Sequence, residues 1–411
     1  MRVLFVTSDL PHPPFHGAHT RALSMIEALA HRHEVILAGS APRDADLSVV
    51  ESLCTTVCCL RRDPYRRGAV GTLLAYGRAA FTPVPLIGRS RFRQLSDLVG
   101  EAARRYQPEA QHLHGMYTVH YRIPGVPAVM DMSDVVSGLC EAARTARPFR
   151  YAAAGIQQFA AARAESRLLS AFARLIALNP DDAARLNGLG LAATVVPLAL
   201  KAPASPPPAP PDGPLRLLFV GNFGHEPNRV AGLFLERKLV PALQTADIDF
   251  RLTVAGCAAR SQLAQTSHQL ANQPAPAACP GSDSDRRVCF AADVPDLAPL
   301  YRDAHLVLVP LAFGGGTKNK TLEAMAWARP VIGSPQAFTG IDPALAGVGY
   351  VSQPLNAPVM AHTLAQLTDD RPRCQAMGRA ARNYVLAKHS QARVDELVLG
   401  IYEEIRAQHG I

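Results

Sequence analysis

Arg2-Val3-Leu4-Phe5-Val6 opens the chain, and Arg216-Leu217-Leu218-Phe219-Val220 repeats its shape just past the midpoint. In each, one basic residue leads an apolar run, and a loop and an amphipathic helical pattern follow. Continuous apolar runs of this length predict strands buried on both faces, as in parallel sheets. Similar runs recur at Glu34–Ala38, Gln111–His114, Ala128–Asp131, Leu175–Leu178, Arg251–Ala255, Leu306–Val309 and Pro330–Gly333, with helical patterns between them. That alternation predicts two doubly wound α/β units. A chain of 411 residues also exceeds the roughly 250–300 at which one core stops growing.

The halves meet at a stretch of dense proline, residues 202–214, which precludes helix or interior strand and favours an extended spacer. The expected organisation is an N-terminal domain over 1–201, the spacer over 202–214, a C-terminal domain over 215–385, and a last helix over 386–411 packing back toward the N-terminal domain. An irregular stretch over 273–287 reads as a surface insertion.

Apolar residues make up 48% and charged residues 18% of the chain, a folded rather than disordered profile. The net charge of +8 is uneven, since residues 1–200 hold 22 arginines, no lysine and 16 acids. Eight arginines lie between Arg61 and Arg93, interleaved with Tyr65, Tyr76, Phe81 and Phe92. This mixture suits a solvated helix face over the core, a peripheral membrane face or an anionic acceptor site. No helix-turn-helix, zinc-finger or RNP-like pattern accompanies it, so no nucleic-acid partner is expected. The apolar start is too short for a signal peptide, and no run approaches the ~20 residues of a membrane span. The expectation is a cytoplasmic protein, with the inner membrane face open to peripheral contact. Eight cysteines without metal-ligand spacing read as buried free thiols.

The most informative segment runs from Phe313 to Pro330 and contains Gly314-Gly315-Gly316-Thr317-Lys318-Asn319-Lys320-Thr321-Leu322-Glu323-Ala324-Met325-Ala326. Three glycines allow close backbone approach, Thr317 is a candidate N-cap, and the following helix points free N–H groups at the loop, which makes an anion site. Lys318 and Lys320 add charge, and Glu323 offers a carboxylate to vicinal hydroxyls, so a diphosphate joined to a ribose fits. Pro330 ends the helix in this reading. On local chemistry alone, a glycine-rich turn with solvated lysines remains an alternative.

This segment resembles the donor signature of the GT-B glycosyltransferases, specifically the GT4-like (glycosyl transferases group 1) subgroup with a GGGT-x-x-K-x-x-EAMA motif. The N-terminal loop Pro11-His12-Pro13-Pro14-Phe15-His16-Gly17-Ala18-His19-Thr20-Arg21 and the segment Val220-Gly221-Asn222-Phe223-Gly224-His225-Glu226-Pro227-Asn228 are similar to that family as well. The resemblance implies two Rossmann-like domains facing each other across a cleft, and hexosyl transfer from a UDP-, GDP-, ADP- or dTDP-sugar to a hydroxyl acceptor with anomeric retention. Neither a metal nor another cofactor is implied. The acceptor would be a glycan, a glycolipid or a small natural product. Glu323 would bind the ribose, the amides of Gly314 to Thr317 the sugar and diphosphate, and Lys320 with Lys318 the phosphates. Gly17, Gly221 and Asn222 would also face the donor, and the base would lie near Val288 to Asp293.

Two positions depart from the pattern: Gly315 stands where many relatives have a Glu, and Ser133, in Val129-Met130-Asp131-Met132-Ser133-Asp134, where they commonly have a His. These departures leave a catalytically silent GT-B binding or scaffold protein as the alternative. The Ser133 hydroxyl can still bond a sugar oxygen, and Asp131 or Asp134 would act on the acceptor, one as a base, although Asp134 equally suits a helix cap. His19 and Arg21 are acceptor-side candidates. His16, His19 and His114 invite a catalytic reading and His12, His16 and His19 a metal one; both are set aside, because loop and strand-end histidines are commonly structural.

Overall fold

The computed structural model describes residues 1–13, 17–62, 93–138, 140–141, 154–257, 287–292, 294 and 296–411, with the backbone path alone for 154–157. The chain forms two compact units, one of Met1–Ala199 with His389–Ile411 and one of Leu200–Lys388.

Unit 1 is built on a seven-stranded parallel sheet of β1 (Arg2–Thr7), β2 (Glu34–Pro42), β3 (Thr56–Arg62), β4 (Ala110–His114), β5 (Ala128–Met132), β6 (Arg174–Ala177) and β7 (Ala193–Val195). Their order is β3-β2-β1-β4-β5-β6-β7. Along β1, Leu4 and Val6 pack into one apolar layer and Val3 and Phe5 into the other, as period-two alternation in a doubly covered sheet requires. Helix α1 (Gly17–Ala30) follows β1, and the chain's last helix, Gln391–His409, packs beside it. That helix contributes Val394, Val398, Ile401, Tyr402 and Ile405 to the same layer as Val3 and Phe5.

Unit 2 repeats the plan with β8 (Leu215–Val220), β9 (Phe250–Gly256), β10 (Val288–Ala292), β11 (Leu306–Val309), β12 (Val331–Gly333) and β13 (Tyr350–Ser352). Here the order is β10-β9-β8-β11-β12-β13, again parallel. Both sheets reverse direction once, between β1 and β4 and between β8 and β11. The proline-dense stretch runs over unit 2, where buried Arg329 donates to the carbonyl of Pro208 and buried Arg382 to that of Pro203.

Every strand expected from the sequence is present. Strands β3, β7, β10 and β13 are additional; β7 and β13 have only three residues each, too few for a periodic signal. The arginine-rich stretch lies outside the described residues apart from Arg61, Arg62 and Arg93, and so does the 273–287 insertion apart from Arg287. Arg61 donates to the carbonyls of Pro42 and Ala45. Among the described residues, no helix is long and apolar enough to cross a membrane. The expectation of free thiols fails at Cys289, which is disulfide-bonded, while Cys54, Cys58, Cys59, Cys140, Cys257 and Cys374 are free.

The polar heart of unit 1 is an ion pair. Asp131 on β5 and Arg21 on α1 are both buried, with Nη2 2.8 Å from Oδ1 and Nε 3.3 Å from Oδ2. Burial alone would push the Asp131 carboxyl up, but Arg21, then His112 and His114, hold it well below the usual carboxylate range. Removing one partner of such a pair strands the other charge. Arg21→Ala is therefore expected to destabilise unit 1 by about 3–5 kcal/mol in chemical denaturation, and Arg21→Met with Asp131→Leu to recover most of that loss.

Candidate active site

In unit 2 the functional candidates gather where β8 and β11 end. Strand β8 runs into Gly221, where a Cβ would sit 3.1 Å from Lys320 Nζ. A Cβ on Gly256, at φ +136°, would lie 1.9 Å from the Gly221 carbonyl. Position 256 therefore admits only glycine. Asn222 folds its Oδ1 onto the Gly224 amide at 2.8 Å. Its carbonyl accepts from Asn228 Nδ2 at 2.7 Å, and Asn228 Oδ1 accepts in turn from Lys320 Nζ. Lys320 Nζ also stands 4.8 Å from the Phe219 ring centroid, a cation–π contact.

After β11 the chain turns through Gly314 at φ +141° and Gly316 at φ +65° before the helix Asn319–Ala326. The N-cap is Lys318, not Thr317, and it makes no side-chain cap bond. Its ammonium instead gathers the loop's carbonyls, those of Gly315 at 2.7 Å, Gly314 at 3.4 Å and Gly316. A trans peptide directs its N–H opposite to its C=O, so the amides of Gly315, Gly316 and Thr317 point away from Lys318. These three donors precede a helix N-terminus, the makings of an anion cradle. Lys318 shapes the cradle and Lys320 supplies the charge beside it. Gly315 leaves no side chain in this loop.

Glu323 sits in the second turn of that helix, and Tyr301 donates to its Oε2 at 3.0 Å. Tyr301 is itself fixed by stacking on Trp327, at 6.2 Å between centroids, and by Arg329 Nε on its carbonyl at 2.8 Å. The helix ends at Trp327, with Ala328 at φ +54°, before Pro330 is reached. Burial raises the Glu323 carboxyl pKa, against the Tyr301 bond and Lys320. Burial likewise depresses Lys320 to about 7, with Glu323 opposing and Lys318 adding to the shift. Asn228 and Tyr301 were not singled out in the sequence; their contacts lie 92 and 22 residues away. Val288–Ala292, expected near the base, forms edge strand β10, and Asp293 lies outside the described residues.

Unit 1 has a chamber of about 170 Å³ at the ends of β1, β4 and β5, lined among others by Asp9, His19, His114, Tyr117, Ser133 and Asp134. His19 is buried, its Nε2 2.9 Å from Asp9 Oδ2. Asp9, His12 and His19 each bring one ligand atom within 4.8 Å of the others, whereas His16 lies outside the described residues. Gly17 is exposed at the start of α1, Ser133 is half-buried and Asp134 exposed. Arg21, expected at the acceptor, is consumed by Asp131, and a fully buried, paired Asp131 cannot itself reach an acceptor. The amides of Val136 and Ser137 donate to buried Glu165, 29 and 28 residues away.

Residues 214–370 match the family model described as Glycosyl transferases group 1. A comparison with curated proteins finds no match. Sucrose-phosphate synthase from Thermosynechococcus elongatus is similar in structure, with a TM-score of 0.72 at 14% identity over 99% of this chain and 100% of that one. The fold is GT-B. Two further GT-B relatives are HepE from Anabaena, solved with UDP and glucose (TM-score 0.62, 14% identity, 98% of this chain and 99% of that), and WaaG, a glycosyltransferase involved in lipopolysaccharide biosynthesis (0.61, 14%, 97% and 99%). Within this GT-B chain, the segment matching the group 1 model contains the glycine loop, Lys320 and Glu323.

Lys320 has a folded pKa below its unfolded value, so its burden on folding is full below about pH 7 and fades as pH rises toward the unfolded value. Lys320→Met is therefore expected to raise the melting temperature of unit 2 most below pH 7, with the gain shrinking by pH 9.5, as followed by thermal unfolding.

Proposed function

We propose that the protein transfers a hexosyl group from a nucleotide sugar to a hydroxyl acceptor, and that unit 2 holds the donor. The observation that carries this reading is the cradle itself: amides of Gly315 to Thr317 before a helix N-terminus, the Lys320 ammonium beside them, and the Glu323 carboxylate one turn farther on. Cleaving a sugar–diphosphate bond develops negative charge on the departing phosphate. Fixed dipoles and a cation aimed at that charge lower the barrier without reorganising. Glu323, already oriented by Tyr301, accepts bonds from the ribose hydroxyls. The match of this segment to the group 1 model and the UDP and glucose bound to HepE support the assignment.

In this reading the reaction retains the anomeric configuration, by front-face attack with the departing diphosphate held in place, and needs no metal. Gly221 and Asn222 border the donor at the end of β8. Asp134 and His19 belong to the acceptor side, in unit 1, and Ser133 offers its hydroxyl to a sugar oxygen.

A thermal-shift panel of UDP-, GDP-, ADP- and dTDP-sugars tests the donor. One of them is expected to stabilise unit 2, by about 2.7 kcal/mol at a hundredfold excess over Kd, and Glu323→Ala to erase the shift. Silence across the panel would sink the reading. Slow donor hydrolysis without acceptor separates the enzyme from a silent binding protein.

Lys320 adds a pH signature. A diphosphate beside the ammonium favours the charged form, so binding at pH 8 is expected to take up a proton and to weaken as pH rises from 7 to 9. Calorimetry in buffers of different ionisation enthalpy reads the uptake, and Lys320→Met should remove it.

A further inference from the structure

A second opening, of about 140 Å³, lies in unit 2 at the N-terminal ends of β11 and β12, with Pro206, Pro207 and Pro210 of the spacer in one wall. The length of β11, roughly 10 Å, separates it from the glycine loop. Arg329 lines it and is only 4% exposed. Its Nε donates to the Tyr301 carbonyl at 2.8 Å, and its Nη2 to those of Arg302 at 2.8 Å and Pro208 at 3.1 Å. These bonds use three of the five guanidinium N–H groups; the two on Nη1 have no acceptor among the described residues. His305, 7% exposed, lines the opening too. Its Nδ1 accepts from the Arg216 amide at 3.0 Å, so the neutral ring carries its proton on Nε2, again with no acceptor among the described residues. Burial and the neighbouring arginines depress the ring's pKa to about 4, which keeps it neutral near pH 7. Both nitrogens keep accessible surface.

We propose that this opening binds a phosphate group, as orthophosphate or on a small phosphomonoester, and that its occupant fastens the spacer to unit 2. The unspent groups of Arg329 and His305 are all donors, and only an acceptor satisfies them. Arg371 and Arg379, on the helix Arg371–Lys388, bring two more guanidinium groups to the lining. Among the described residues, none of these three arginines is ion-paired. Asp212, exposed, is the one acid in the lining, so three cations against one anion leave +2. Nearby Asp303 pairs with Arg216, and Asp370 accepts from the Arg373 amide. The donors come from the turn before β11, the turn before β12 and a helix, and so approach from separate directions. A tetrahedral oxyanion meets each with its own oxygen, where a planar carboxylate has two. A cavity of roughly 150 Å³ accepts a six-membered ring, so about 140 Å³ admits the phosphate with a small body against the prolines.

The same arginines tie the site to the spacer. Arg329 holds the Pro208 carbonyl, and Arg371 Nη2 reaches that of Gly213 at 3.4 Å, while Arg371 Nη1 is buried without an acceptor. Buried cations without a counter-charge are costly, and burial already lowers Arg329 to about 10. A bound phosphate supplies the counter-charge and fixes both side chains, and with them the two carbonyls they hold. The site lies apart from the donor cradle and does not rest on the transferase reading.

The test titrates the full-length protein with orthophosphate, glycerol 3-phosphate and phenyl phosphate by calorimetry. At least one is expected to bind, and Arg371→Gln combined with Arg379→Gln should weaken it roughly tenfold or more. His305→Asn keeps an acceptor for the Arg216 amide but removes the Nε2 donor, and should weaken binding as well. Lys320→Met, at the cradle, should leave it unchanged. In protein labelled with ¹⁵N-histidine, with His305 assigned through His305→Asn, the ring is expected to be neutral and Nε2-protonated, with an Nε2 resonance that moves as the phosphate binds. Hydrogen exchange at the amides of Ala209 and Gly213 should slow. Tighter binding of an ester identifies a phosphomonoester as the occupant, and tighter binding of orthophosphate the free ion. The proposal is overturned if none of the three binds, if neither the arginine pair nor His305→Asn changes the affinity, if Lys320→Met abolishes binding, or if the native ring is Nδ1-protonated. Unchanged exchange in the spacer with phosphate bound overturns its second half.

Discussion

Where a parallel sheet changes direction, two neighbouring strands hand the chain to helices on opposite faces, and the loops beyond their C-terminal ends must part. That constraint acts twice here, between β1 and β4 and between β8 and β11. Because both faces of each sheet are covered, the central strands have little room for polar chemistry: Val3 to Val6 and Leu217 to Val220 are all buried. Reactive groups are therefore driven to the strand ends, where the parted loops leave space. Gly221 and the Gly314–Thr317 loop occupy that place in unit 2, and Asp9, His114 and Tyr117 in unit 1.

The two places manage charge in opposite ways. In unit 1 the ion pair is self-sufficient: Arg21 spends Nε and Nη2 on Asp131 and Nη1 on the Pro197 carbonyl. Its product is a fixed orientation for His114. In unit 2, burial pushes Lys320 and Glu323 each toward its neutral form. Groups held in this way are held for something else, and a bound anion restores to Lys320 the field that solvent no longer provides. Lys318 shows a third use, its charge turned inward to arrange three carbonyls so that the opposite edges of those peptides become donors.

Much of this was legible because the relevant signals are local. Buried strands announce themselves within five residues, and the glycine loop, lysines and Glu323 fall within ten positions of one another. What escaped depends on contacts across the chain. Arg21 looked like an acceptor contact until its partner 110 residues away was in place. Asn228 and Tyr301 act through Lys320 and Glu323, and neither has a composition or spacing that marks it. Thr317 was a sound N-cap by residue type, yet the loop's positive-φ glycines carry the turn one residue farther.

The helix over Gln391–His409 has a consequence for how the chain is made. Tyr402 reaches His112 at the centre of unit 1, and Ile405 shares a layer with Phe5. The ribosome delivers Phe5 before all of unit 2 and Ile405 after it. The seven-stranded sheet is thus complete before the second domain is made, yet one of its apolar flanks stays bare until that domain has emerged.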